Sequence, residues 1–233
     1  LQKSRSDIFR PGFSFSSIRL RFRELIPLSL PLTANRVLLG LLQGIEAVSI
    51  PGCLKLYNHS TSEALSTYGV LTGMALPCIL FPSAITNSVS IMLMPTVAEL
   101  QVKDQASGIK KLLQKVLGSC FLMGLFCCLF FLFFGQLIGQ FLFASDLAGN
   151  FIITLAWICP FLYVNGSLLS VLNGFGKTTT SFTINTVGLA IRIGSVFFAI
   201  PVFGIQGYLW GLLISQLAVS ICCSVVLKHL ISA

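Results

Sequence analysis

Two arginines and a glutamate fall inside otherwise apolar stretches of this 233-residue sequence: Arg36, Glu46 and Arg192. Charge at membrane depth is costly enough that such residues are functional candidates by default. A guanidinium in a poorly hydrated cavity would bind a phosphate or carboxylate strongly. Helical spacing gives these charges polar company. Arg36, Gly40, Gln43 and Ala47 share one stripe of a helix, and Ser181, Asn185, Gly188 and Arg192 share another. Ser83, Asn87, Ser90 and Met94 make a third. Residues three and four apart lie on one helical face. The candidate binding residues are therefore Arg192, Arg36, Asn185, Gln43 and Asn87. A packing reading competes, since small residues let helices approach and an arginine can pair with a carboxylate or a backbone carbonyl. Packing suits the Ser and Asn positions better. Function suits the arginines slightly better, because the helix of Arg192 contains no carboxylate. Glu46 could serve one arginine at most, and at the outer interface it would lie at the wrong depth for Arg192.

Other chemistry is poorly supported. Of the eight cysteines, Cys53, Cys78, Cys120, Cys127, Cys128, Cys159, Cys222 and Cys223, seven lie in apolar runs without C-x-x-C spacing or histidine neighbours. They read as small hydrophobes rather than metal ligands or a disulfide framework. The stretch Asn173-Gly174-Phe175-Gly176-Lys177-Thr178 resembles the end of a phosphate-binding loop, but Val171 stands where its first glycine belongs. A turn between two helices explains both glycines. Asn58-His59-Ser60 matches a glycosylation triplet, a pattern common by chance. His59 and His229 form no triad. No cofactor and no enzyme activity are expected.

The elements that carry the charges follow from bulk composition. Hydrophobic residues make up 55% of the chain and charged residues 9%, against about 25% charged in a soluble domain. Val116–Phe134 runs 19 residues without a charge and Ile205–Leu227 runs 23. A bilayer core of about 30 Å needs about 20 helical residues, so both predict spans. The expected fold is all-α and polytopic. A basic lead-in, 1–24, precedes a six-helix transmembrane lobe, 25–233, with helices at about 25–50, 63–98, 116–134, 147–172, 181–200 and 205–228. Pro27 and Pro31 interrupt the start of the first helix. Pro77, Pro82 and Pro95 predict kinks in the second, which is too long for a straight crossing, and Pro160 a kink in the fourth. The absence of a leading Met and the basic, polar start predict an internal piece of a longer protein.

Charge distribution gives an orientation. With the lead-in cytoplasmic, twelve Lys and Arg residues fall in cytoplasmic segments and only Lys55 falls outside. The positive-inside rule then places both ends of the sequence in the cytoplasm. The net charge of +8 is spread between apolar spans and forms no basic face, so nucleic acid is not an expected partner.

Three stretches, Tyr68–Pro77, Phe81–Thr86 and Leu93–Glu99, resemble the stage V sporulation protein B family of the multidrug/oligosaccharidyl-lipid/polysaccharide exporter superfamily. Leu28–Leu32, the Val171–Lys177 turn and Gly204-Ile205-Gln206-Gly207 fit as well, so the similarity covers Leu25 onward. Members of that superfamily resemble two six-helix lobes around a central cavity, some with two further helices, and this sequence is similar to the second lobe. The resemblance implies alternating-access transport of an undecaprenyl-pyrophosphate-linked glycan or peptidoglycan precursor across the bacterial cytoplasmic membrane, in spore cortex or cell-wall synthesis. Its implied partners are that lipid-linked oligosaccharide, membrane lipids and a first lobe absent from this sequence. Arg192 falls where relatives often carry a basic residue. Two alternatives remain: a cation-coupled multidrug exporter of the same superfamily, for which Glu46 is the sole candidate carboxylate, and a non-transporting membrane scaffold for envelope assembly.

Overall fold

A computed structural model describes residues 37–57, 60–103 and 106–232. The lead-in, Pro27, Pro31, Arg36, Asn58 and His59 lie outside the described residues. Contacts divide the chain into a unit ending at Leu42 and one beginning at Gln43; the architecture below belongs to the second.

Every regular element among the described residues is helical. Helix α1 spans Val37–Leu56. It is followed by α2 (Thr61–Val70), a π-helical turn (Leu71–Ala75), α3 (Leu76–Leu80) and α4 (Ser83–Val102). Then come α5 (Ala106–Phe143), α6 (Asp146–Ala156), α7 (Cys159–Gly174), α8 (Thr178–Phe198), α9 (Ile200–Phe203) and α10 (Ile205–Ser232). Five helical stretches are long and apolar enough to cross a membrane, and α6 with α7, bent by 55°, makes a sixth. The chain is a multi-pass, all-α membrane protein.

Prolines place the breaks. A proline ring clashes with the carbonyl four residues back. For Pro160 that residue is Ala156, where α6 ends. Pro82 similarly separates α3 from α4, and the carbonyls freed there find new donors. The Tyr163 hydroxyl donates to the Ile79 carbonyl at 2.8 Å, and the Ser83 hydroxyl to the Leu80 carbonyl at 2.6 Å. Within a membrane such re-satisfaction is what makes a broken helix tolerable.

Helix lengths depart from the sequence reading at several ends. The first helix continues through Pro51 to Leu56 instead of ending at 50. The third begins at Ala106 and ends at Phe143 instead of running from 116 to 134, so most of the charged segment before Val116 is helical. Lys and Gln are good helix formers, and hydropathy marks the apolar part of a helix rather than its ends.

Close contacts fix the relative directions. Ser90 meets Ser167 and Met94 meets Gly174, so α4 runs parallel to α7. Gly135 meets Ile153 and Gly139 meets Gly149, making α5 antiparallel to α6; Gly188 meets Val219 and Gly211 meets Ser195, making α8 antiparallel to α10. A simple up-and-down chain has this pattern: neighbouring spans oppose and alternate spans agree. The turn between α9 and α10 is glycine-dependent. Gly204 takes φ +63°, and a Cβ there would meet the Tyr57 ring at 2.9 Å, so the end of α1 caps the α9–α10 corner.

Candidate functional site

At the meeting of α1, α8 and α10, two side chains converge on one oxygen of a third. Glu46 Oε1 accepts from Arg192 Nε at 2.9 Å and from the Tyr208 hydroxyl at 2.8 Å. It also pairs with Arg192 Nη2 at 2.8 Å, and the same Nη2 makes a longer contact of 3.4 Å to the Tyr208 hydroxyl. Glu46 is 3% exposed and the Arg192 side chain 25%. Ser195 donates to the Arg192 carbonyl at 2.7 Å, on the face of α8 that receives Gly211.

This overturns one expectation. Arg192 does have a carboxylate partner, and Glu46 is buried within the lobe rather than free at the edge of a span. The two residues lie 146 positions apart, and only the α1–α8 packing joins them. Arg192 lies six residues from the end of α8, about 9 Å along the helix axis, so the pair sits within the span. Nη1 of the guanidinium bonds to no described residue, and a quarter of the side chain stays open.

The remaining candidates scatter. Arg36 lies outside the described residues. Gln43 is exposed on α1, Asn87 is exposed on α4, and Asn185 is partly buried on α8. The buried face of α4 is formed by Ser83, Thr86, Ser90, Leu93 and Val97, so the stripe expected there is split: Ser83 and Ser90 turn inward, Asn87 and Met94 outward. Among the four described candidates only Arg192 joins the polar cluster. Tyr208, its third member, was not identified from the sequence; one tyrosine near the start of an apolar helix gives little signal.

A second polar seam holds α4, α5 and α7 together. The Ser90 and Ser167 hydroxyls lie 2.9 Å apart, with Cys120 Sγ 3.3 Å from Ser167. Between α7 and α10, Asn165 Nδ2 donates to the Gln216 carbonyl at 3.0 Å and to its side-chain oxygen at 2.7 Å. These bonds join spans to one another, which is the packing role.

The described residues thus form a transmembrane helical lobe: six candidate spans, an ion pair joining two of them, and breaks at prolines in two rods. No family model matches the chain. Stage V sporulation protein B of Bacillus subtilis (strain 168) is 26% identical over 188 residues, 80% of this chain and 36% of that protein. Sporulation protein YkvU of the same organism is 26% identical over 93 residues, 40% of this chain and 21% of that protein. A solved transporter of the MOP superfamily from Pyrococcus furiosus shares the fold with a TM-score of 0.67 at 16% identity, over 85% of this chain and 43% of its own. The solved structure shows a shared fold, and the sequence similarity to the sporulation protein runs over most of this chain. The chain spans less than half the length of each protein it matches.

Proposed function

We propose that this chain is one lobe of a membrane flippase that moves an undecaprenyl-pyrophosphate-linked glycan or peptidoglycan precursor. The observation that carries the reading is the sequence similarity to a sporulation protein over most of the chain, joined to the exporter fold. Arg192 is the residue proposed to meet the anionic head group. Glu46 and Tyr208 hold its guanidinium, and a diphosphate would take the open edge and compete with Glu46 for the rest. Bidentate guanidinium–phosphate bonding is strong enough for that exchange.

In the full-length transporter carrying this lobe, Arg192→Gln combined with Glu46→Gln should retain folding and lose at least about tenfold in flipping of a labelled polyprenyl-diphosphate lipid, a loss of about 1.4 kcal/mol in head-group interaction. Arg192→Lys should keep part of the activity, as a point charge retains the attraction without the planar fork. Wild-type flipping by the double variant would remove Arg192 from the substrate path. Alone, one lobe supplies one wall of a cavity, and alternating access needs the rocking of two. The purified chain in liposomes should therefore flip no labelled lipid above the empty-vesicle rate.

A buried Glu46 also gives the cation-coupled exporter reading an intramembrane carboxylate. Arg192 already neutralises it, so a coupling cation would have to displace a guanidinium. Transport that survives Glu46→Gln and an imposed collapse of the ion gradients favours the flippase; transport abolished by both favours the exporter.

Both ends of the described lobe are proposed to face the cytoplasm. In a cysteine-free background, a cysteine at Asp146 should react with an impermeant thiol reagent in whole cells, and one at Thr179 should not. The reverse labelling would invert the lobe.

A further inference from the structure

A groove of about 410 Å³ opens between α4 and α5, with Ile85, Thr86 and Val89 on one side and Val116, Cys120 and Met123 on the other. Most of its lining is apolar, with Thr86 and Ser119 as neutral polar members, and it contains one cation, Lys115. That ammonium is exposed and pairs with no carboxylate among the described residues.

The position of Lys115 along α5 gives the groove a direction. The helix has 38 residues, about 57 Å at about 1.5 Å each, and so must overrun a hydrocarbon core of about 30 Å. Its charge-free run starts at Val116. Lys115 therefore marks the level at which α5 enters the membrane. Met123 lies eight residues further along, about 12 Å deeper. The result is a trough that starts at a cation in the headgroup layer and continues inward between two spans, lined by hydrocarbon. Lys110 and Lys111, both exposed, precede it on the same helix and add to the positive field.

A headgroup with no net charge gains little from such a field, whereas an anionic one gains about fivefold in affinity per nearby lysine. Basic pockets between transmembrane helices are where anionic headgroups are recognised. We propose that the α4–α5 groove binds a single anionic phospholipid of the phosphatidylglycerol type. Its phosphate lies at Lys115 and one acyl chain runs along Val89, Val116 and Met123. The site is separate from the Arg192 cluster and does not depend on the substrate assigned to the transporter.

The purified chain in neutral detergent can be titrated with phosphatidylglycerol and with phosphatidylcholine of identical chains, and the bound lipid counted by native mass spectrometry. The wild type should hold its first phosphatidylglycerol about fivefold more tightly than phosphatidylcholine. Lys115→Gln should abolish the preference, and Lys110→Gln should keep most of it. Val89→Trp, which fills the trough, should weaken both lipids. Glycerol 3-phosphate, a headgroup without chains, should displace neither. Circular dichroism should confirm the helical content of each variant. Equal affinity for the two lipids, equal losses at Lys115 and Lys110, unchanged binding by Val89→Trp, or displacement by glycerol 3-phosphate would each overturn the proposal.

Discussion

Truncating the guanidinium alone, by Arg192→Ala, should destabilise the lobe by about 3–5 kcal/mol, the cost of leaving a buried charge without its partner. Glu46 is 3% exposed and loses both its counter-charge and two of the donors to Oε1. The reverse truncation, Glu46→Gln, should cost less, because Arg192 keeps a quarter of its side chain open and can turn toward water or a headgroup. Removing both charges in a volume-conserving pair such as Glu46→Met with Arg192→Met should be close to neutral, since a buried pair often contributes little net of desolvation. Tyr208→Phe removes one hydrogen bond and should cost about 1 kcal/mol. Unfolding in mixed micelles of rising SDS fraction, followed through the exposed Trp157 and Trp210, gives all four free energies. With Glu46→Met and Arg192→Met also measured singly, a double-variant cost equal to the sum of those two would mean that the ion pair carries no coupling energy. The same cycle separates stability from transport: the charge-free pair should stay folded while failing to flip an anionic lipid.

That outcome also shows where sequence reasoning stopped. The number of candidate spans was legible because it rests on a local quantity, the length of an apolar run. The kink at Pro160 was legible for the same reason, since the clash with Ala156 needs no tertiary information. The pairing of Glu46 with Arg192 is a different kind of fact. Nothing near either residue identifies the other, and only the packing of α1 on α8 brings a carboxylate to an arginine whose own helix has none. Helical periodicity likewise groups Ser83, Asn87, Ser90 and Met94 on adjoining positions. It cannot say which of them α7 covers: the structure buries Ser90 against Ser167 and leaves Asn87 exposed at the rim of the same seam, beside Gly166. The extension of α5 was missed for a third reason. Hydropathy falls at Lys115, but the helix does not, because lysine is compatible with a helix once it leaves the hydrocarbon.

The same helix provides the second large effect. Adding one methyl at Gly124 or Gly139 should destabilise the lobe by about 2 kcal/mol, whereas adding it at Gly118 should be neutral or stabilising by at most about 1 kcal/mol. A Cβ at Gly124 would lie 2.6 Å from the Pro160 Cα and 3.0 Å from the Cys159 carbonyl oxygen; one at Gly139 would overlap the Gly149 backbone and meet the Ser145 carbonyl oxygen at 2.9 Å. These are backbone atoms, which cannot swing aside as a side-chain tip can, so relief requires α5 to move off the α6–α7 rod. Overpacking of this kind costs about 1–3 kcal/mol. At Gly118 a Cβ meets nothing within 4 Å, leaving only the helix-propensity gain of alanine over glycine. The three glycines share a helix, so differences in insertion or helicity cancel between them. Gly124 packs where Pro160 bends the rod by 55°, so Gly124→Ala should also loosen that bend. A nitroxide pair at Thr154 and Leu169, read by pulsed electron spin resonance, should show a broader distance distribution in Gly124→Ala than in Gly118→Ala. Equal stabilities for the three variants would show that α5 is not held by close backbone contact, and that the bend is fixed by the proline alone.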